Sequence, residues 1–352
     1  MKRITRILSI LTVVLILFTL AACGQSKKEA PGQGAAPAQE QAGQAKKVKV
    51  GLLTGVAGLG DKSFNDLAYE GAKKAEKDLS IQLKVVEPPD LASTEGLLRD
   101  LAKAGNDLVI GVGFDMKDPM DKVAAEFPNT KFAIVDATVD KPNVASLVFK
   151  EHEGSFLVGA LAGMMTKTNK IGAIPAMDIP FLNRFTRAYE QGAKYVNPKV
   201  QVIVQPIGSD FSAFNDPAKA KSIALAMYNQ GVDIIYHAAG GSGAGLFEAA
   251  KEAKKYAIGC NSDQDYMAEG LILTSMMKRV DVAVYNTIKK VVDGSFSGGV
   301  NVFGVANDGI GVSEMKYTRD LIGAEKIKKL DELKKGIIDG SIKVIDVLET
   351  QK

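Results

Sequence analysis

Val48-Lys49-Val50-Gly51-Leu52-Leu53 reads as a strand, the glycine-bearing stretch 54–63 as a loop, and 63–79 as a helix opening at Ser63 with Asp66 three residues on, a capping-box pattern. The same unit recurs downstream. Strands are expected over 83–86, 108–111, 132–136 and 144–149, with helices over 94–104 and 120–127 between them. After 149 the alternation restarts with a helix over 155–166, a strand over 171–174 and a helix over 184–195. It continues with strands at 200–204, 234–237, 256–259 and 271–275, and helices at 218–229, 246–255 and 281–293. Regular strand–helix alternation implies parallel sheets covered on both faces. More than 250 residues of it exceed one ordinary α/β domain, so two lobes are expected, with a single (β/α)₈ barrel as the structural rival. The tail predicts a short amphipathic helix around 327–338 and a last strand over 342–347.

The first 23 residues have a different character. Lys2, Arg3 and Arg6 form a positive head, 10–20 is almost wholly apolar, and Leu20-Ala21-Ala22-Cys23 follows. This is the order of a secretory signal peptide, with an apolar stretch too short for a bilayer span. With cysteine after the small pair, it resembles the lipobox of bacterial lipoproteins. That resemblance implies removal of residues 1–22 and acylation of Cys23, anchoring the chain on the outer face of the cytoplasmic membrane. Residues 24–46 are Gln, Ala, Gly, Pro and Lys with almost no large apolar side chain, which predicts a flexible tether over 23–46.

Composition narrows the function. The only other cysteine is Cys260, so with Cys23 acylated no intramolecular disulfide forms. Two histidines, His152 and His237, and one thiol offer too few soft ligands for a metal site, and no cofactor is expected. A net charge of +3 without a basic face argues against nucleic acid. The loop 55–62 resembles a phosphate-binding P-loop only superficially, because Asp61 intervenes between the last glycine and Lys62. Gly240-Gly241-Ser242-Gly243-Ala244-Gly245 fits neither the dinucleotide nor the nucleophile-elbow spacing. It reads as a strand-to-helix turn whose amides, at Gly240 first, face a ligand. Neither histidine lies beside a plausible nucleophile in sequence, so a binding protein is expected rather than an enzyme.

At Asp61-Lys62-Ser63-Phe64-Asn65, with Glu70-Gly71 after it, the chain resembles the basic membrane protein family of substrate-binding lipoproteins. The best-known members of that family are purine nucleoside receptors of ABC importers. Further resemblances run along the domain: 132–136, 142–144, 159–163, 215–219, 239–243, 261–264 and 274–279. The resemblance implies an α/β fold of the type I periplasmic-binding-protein kind, two Rossmann-like lobes joined by three hinge crossovers. These fall near 146–150, 275–279 and 303–307, giving lobe one as 47–147 plus 277–303 and lobe two as 148–276 plus 304–350. It implies a purine nucleoside as ligand and an ABC permease as partner, with riboflavin, a free purine base or a sugar as alternative ligands and a nucleoside-processing enzyme as the remote one. By motif position, Phe64 and Phe214 would stack the base, one from each lobe. Asn65 would serve a base edge, Asp118 would supply a cleft carboxylate, and Asp263 with Lys278 would hold ribose hydroxyls. One departure stands out: relatives commonly carry Thr-Asp after the first strand, whereas this chain has Thr54-Gly55.

Overall fold

The computed structural model describes residues 47–349. The signal peptide, Cys23 and the tether therefore lie outside the described residues. Two sheets organise the chain. The first contains β1 (Lys49–Leu53), β2 (Gln82–Val86), β3 (Leu108–Val112), β4 (Lys131–Val135), β5 (Val144–Phe149) and β11 (Gly299–Phe303), ordered β2-β1-β3-β4-β5-β11 and parallel throughout. The second contains β6 (Lys170–Pro175), β7 (Gln201–Val204), β8 (Ile234–Ala238), β9 (Tyr256–Asn261), β10 (Ile272–Lys278) and β12 (Ile310–Val312), ordered β12-β10-β9-β8-β6-β7. Only β12 runs antiparallel to its neighbour. This is a two-lobe α/β fold of the periplasmic-binding-protein kind, not a closed barrel.

The central strands are legible as apolar runs because both their faces are covered. Every residue of β3 and of β8 is buried, including His237, which bonds Gln264 Oε1 at 3.0 Å and is pushed down to about 4 by burial. Cys260 is likewise buried, its thiol pushed up to about 12, so it is a packing residue rather than a nucleophile.

The chain passes between the sheets three times. β5 leads through Lys150 into α4 (Glu151–Met165), which packs in the second lobe against α5 (Pro180–Val196). β10 leads through Arg279 into α8 (Val280–Val292), which packs on α1 (Phe64–Leu79) of the first lobe. Residues 304–309 then carry β11 into β12. All three passages are tied at the start of α4. Glu151 binds Lys278 at 2.8 Å, and Glu153 accepts the Val305 amide at 2.8 Å. The Lys150 amide donates to Phe303 O at 2.8 Å.

Two local expectations need correction. Ser63 precedes α1 but makes no side-chain cap. Asp61 caps instead, accepting from the amides of Ser63, Asn65 and Asp66 at 2.9, 2.9 and 3.2 Å. That frees the Ser63 hydroxyl to reach across the cleft. The strand expected over 342–347 is also absent; after α10 (Ala324–Ile338) the tail is irregular. It is held by Gln191, which bonds Lys343 O and the Ile345 amide at 3.0 Å each, and by Arg184, which bonds Asp346. Side-chain partners replace the ladder that a strand would need.

Candidate functional site

In an open parallel sheet, loops diverge at the carboxyl ends of strands where the strand order reverses, and ligands bind there. The first sheet reverses between β1 and β3, the second between β6 and β8. Both reversals open onto one cleft lined from both lobes. The loop after β1 contributes Gly55 and Asp61, the start of α1 contributes Phe64 and Asn65, and the turn after β3 contributes Phe114 and Asp115. From the second lobe come Phe181 and Phe185 at the start of α5, Phe211 and Phe214 from the 3₁₀ turn Phe211–Asn215, and Gly240 after β8. Asp136, Asn261 and Lys278, at the ends of β4, β9 and β10, complete the wall.

Of the residues expected from sequence, Phe64, Asn65, Phe214, Gly240 and Lys278 line this cleft. Phe64 and Phe214 are half-buried and come from opposite lobes. Asn65 is partly committed: its Oδ1 accepts the Gly55 amide at 2.8 Å and its Nδ2 donates to Asp61 at 3.2 Å, leaving one hydrogen and one lone pair. A side chain at position 55 would meet Val112 O and Asn65 Oδ1 at 3.1 and 3.2 Å, so the glycine lets Asn65 approach the loop.

Two expected residues are not brought to the cleft. Asp118 is exposed in the first turn of α3 (Lys117–Glu126), whereas Asp115, one turn earlier, lines the cleft. Asp263 is exposed and accepts from the Asp265 amide at 3.1 Å; it makes no pair with Lys278. Lys278 instead lies 2.6 Å from Asp136 and 2.8 Å from Glu151, with all three side chains at most 4% exposed. Its ammonium also sits over the rings of Phe64, Phe149 and Phe181 at 4.9, 5.0 and 5.8 Å.

Electrostatics follow from this packing. Burial alone would push the Lys278 ammonium down, but Asp136 and Glu151 outweigh it and hold the group above its ordinary value. Burial, with Glu151 nearby, raises Asp136 to about 6 against the pull of Lys278. Asp136 and Lys278 thus place an acceptor and a donor side by side at the cavity wall, with Glu151 shared between Lys278 and Arg184. Asp115 is also raised to about 6 by burial, and its Oδ2 has no hydrogen-bond partner among the described residues. Unsatisfied, it is an acceptor available to a ligand N–H. No group of three or more His, Cys, Asp or Glu side chains among the described residues is arranged to hold a metal ion.

The lobes also touch directly. Asn261 Nδ2 donates to Ser63 Oγ at 2.9 Å, which donates to Cys260 O at 3.1 Å. Ser262 Oγ and Gln264 Nε2 donate to Lys62 O at 2.6 and 3.1 Å. At the mouth, Phe114 packs on Phe181 and Phe211 with ring centroids 4.7 and 5.7 Å apart.

Asp115, Asp136, Glu151, Asn261, Phe114, Phe181 and Phe211 were not singled out as site residues by sequence reasoning. For Asp136 a signal existed, since a carboxylate directly after the all-apolar run 132–135 must sit at a strand's carboxyl end.

Comparison with known proteins agrees with this architecture. A crystal structure of an ABC transporter solute-binding protein from Aeropyrum pernix K1 superposes with a TM-score of 0.78 at 33% identity, covering 85% of this chain and 93% of that one. The ABC transporter nucleoside-binding protein BmpA of Lactococcus lactis subsp. cremoris is 33% identical, over 84% of this chain and 89% of its own length. A lipoprotein of Pyrococcus abyssi is 35% identical, over 86% and 77% of the two chains. The family described as ABC transporter substrate-binding protein, PnrA-like, matches residues 47–347. A cleft for one small molecule between two hinged α/β lobes is what such a protein needs to serve a transporter, and this chain belongs to that PnrA-like family of ABC transporter substrate-binding proteins.

Proposed function

We propose that this protein captures a purine nucleoside outside the cytoplasmic membrane and delivers it, chemically unchanged, to an ABC importer. The observation that carries the reading is the pairing of half-buried phenylalanines from both lobes with a buried Lys–carboxylate group at the same cavity wall. A purine is a flat face with polar edges, and a ribose is a set of hydroxyls. Phe64 and Phe214 suit the face. Asp115 and Asn65 suit the base edge, and Asp136 with Lys278 suits the hydroxyls, accepting and donating respectively. The name of the Lactococcus relative supports a nucleoside.

Mass spectrometry of ligand released from the purified protein tests this, followed by calorimetry against adenosine, guanosine, inosine, adenine and riboflavin. The expected result is one purine nucleoside per chain. Affinity for riboflavin or a sugar, with no response to any purine compound, would overturn the assignment.

The membrane association belongs to the same proposal. The sequence ending at Cys23 and the lipoprotein name of the Pyrococcus relative both support a lipid anchor. No helix among the described residues is long and apolar enough to cross a membrane. Cys23→Ser is expected to abolish labelling by palmitate in cells; label that persists in the variant refutes the anchor.

A further inference from the structure

The charged group at the cavity wall does not end there. From Asp136 and Lys278 it continues through Glu151 to Arg184 and Asp346, alternating in sign at every step. Glu151 Oε1 meets Lys278 at 2.8 Å, and its Oε2 meets Arg184 Nη1 at 2.6 Å. Arg184 then uses its fork on Asp346, Nε to Oδ1 at 3.0 Å and Nη2 to Oδ2 at 2.6 Å, while Nη1 also donates to Phe149 O at 2.8 Å. His152 Nδ1 lies 3.6 Å from Asp346 Oδ2; burial, with Arg184 nearby, holds the histidine below its ordinary value, so the chain's last carboxylate belongs to Arg184.

Asp346 sits in the irregular tail and does not line the cleft. Its side chain is turned inward and 7% exposed, whereas the adjacent Ile345 is 55% exposed. A segment docked for apolar burial alone would present these two residues the other way round. The tail is thus oriented to deliver a carboxylate to Arg184.

We propose that Arg184 and Asp346 are positioning residues for ligand binding, which fix Glu151 and through it Lys278, so that the carboxyl-terminal tail is a working part of the ligand site. The inference rests on the nucleoside reading only for what Lys278 contacts. A lone Glu151 would have rotameric freedom, and Lys278 could then settle on Asp136 alone, withdrawing its donor from the ribose and neutralising the carboxylate the hydroxyls need. With Arg184 clamped by Asp346, Glu151 stays between both cations and Lys278 stays between both carboxylates. A bidentate guanidinium holds direction as well as charge, which a lysine at 184 cannot do.

The test uses the full-length chain and two readouts. First, in protein labelled with ¹⁵N-lysine and without added ligand, the Nζ–H signal of Lys278 is assigned by its loss in Lys278→Arg. It is expected to shift or broaden in Asp346→Ala and in Arg184→Lys and to return in Asp346→Glu. Second, calorimetry is expected to show nucleoside affinity falling about tenfold in Asp346→Ala, the scale of one charge-assisted hydrogen bond, with affinity for the free base unchanged. An unchanged Lys278 signal overturns the relay, as does an equal loss of nucleoside and base affinity, the mark of a merely structural tail. If the wild-type protein binds no nucleoside, the functional reading falls, and the Lys278 signal still decides the relay.

Discussion

Lys278→Met is expected to lower the stability of the folded protein by about 3–5 kcal/mol, the range seen when one partner of a buried ion group is removed. The substitution conserves much of the apolar volume and leaves Asp136 and Glu151 buried with no cation between them; Arg184 still reaches Glu151, but among the described residues no other cation contacts Asp136. The loss should depend on pH in a definite sense. Asp136 is already raised to about 6, and without Lys278 its carboxyl rises further. A group whose folded value lies above its unfolded value contributes stability that is fully present below the unfolded value and is lost as pH rises through the folded one. The gap between wild type and variant should therefore be widest near pH 8 and narrow towards pH 5, where Asp136 takes up a proton. Urea unfolding at both pH values measures it. A gap of the same size at pH 5 and pH 8 would show that the lost stability comes from packing against Phe64, Phe149 and Phe181 rather than from charge.

Phe214→Ala should weaken nucleoside binding by up to about a hundredfold, since stacking of a base on an aromatic ring is worth roughly 1–3 kcal/mol. Phe214 is half-buried in a 3₁₀ turn, and its nearest aromatic neighbour, Phe211, is 6.0 Å away by ring centroid, so its removal opens the cleft without gutting the core. Phe214→Leu separates two explanations. Leucine keeps apolar contact but has no π-face, so a leucine variant as weak as the alanine one supports stacking. Near-wild-type affinity for leucine sinks stacking in favour of simple apolar burial. Phe64→Ala makes a less clean probe because the same ring sits 4.9 Å from the Lys278 ammonium. Asp263 is exposed and Asp136 lines the cleft, so Asp136→Asn is the variant that addresses the proposed hydroxyl contact.

How much of this is legible in the sequence depends on the range of the interaction. Apolar runs such as 108–112 and 234–238 declare themselves because burial on both faces leaves no polar positions. The alternation at 342–347 misled for the same reason: Ile342 and Val344 are half-buried, but no neighbouring strand offers a ladder. Phe64, Asn65 and Phe214 stand in local motifs, and the fold brings all three to the cleft. The charged group is different in kind. Asp136 and Lys278 are 142 residues apart, and periodicity carries no information on which carboxylate a lysine will meet. Asp263, nearer in sequence, is exposed, while Asp136 is the carboxylate that meets Lys278. Over a shorter distance, Gly113 has φ +133°, and beyond it Asp115 lines the cleft while Asp118 is exposed.

The hydrogen bonds joining Lys62 and Ser63 to residues 260–264 bear on how well a transporter can tell a loaded receptor from an empty one. Open and closed forms are two populations, and a ligand shifts them only by its difference in affinity for the two. Bonds that the lobes make with each other favour closure whether or not a ligand is present. They raise apparent affinity, because less of the ligand's binding energy is consumed in bringing the lobes together. The same bonds raise the share of empty receptors that present a closed surface to the importer. Contacts such as Ser63–Asn261 would thus trade sensitivity at low ligand concentration against the share of empty receptors in the closed form.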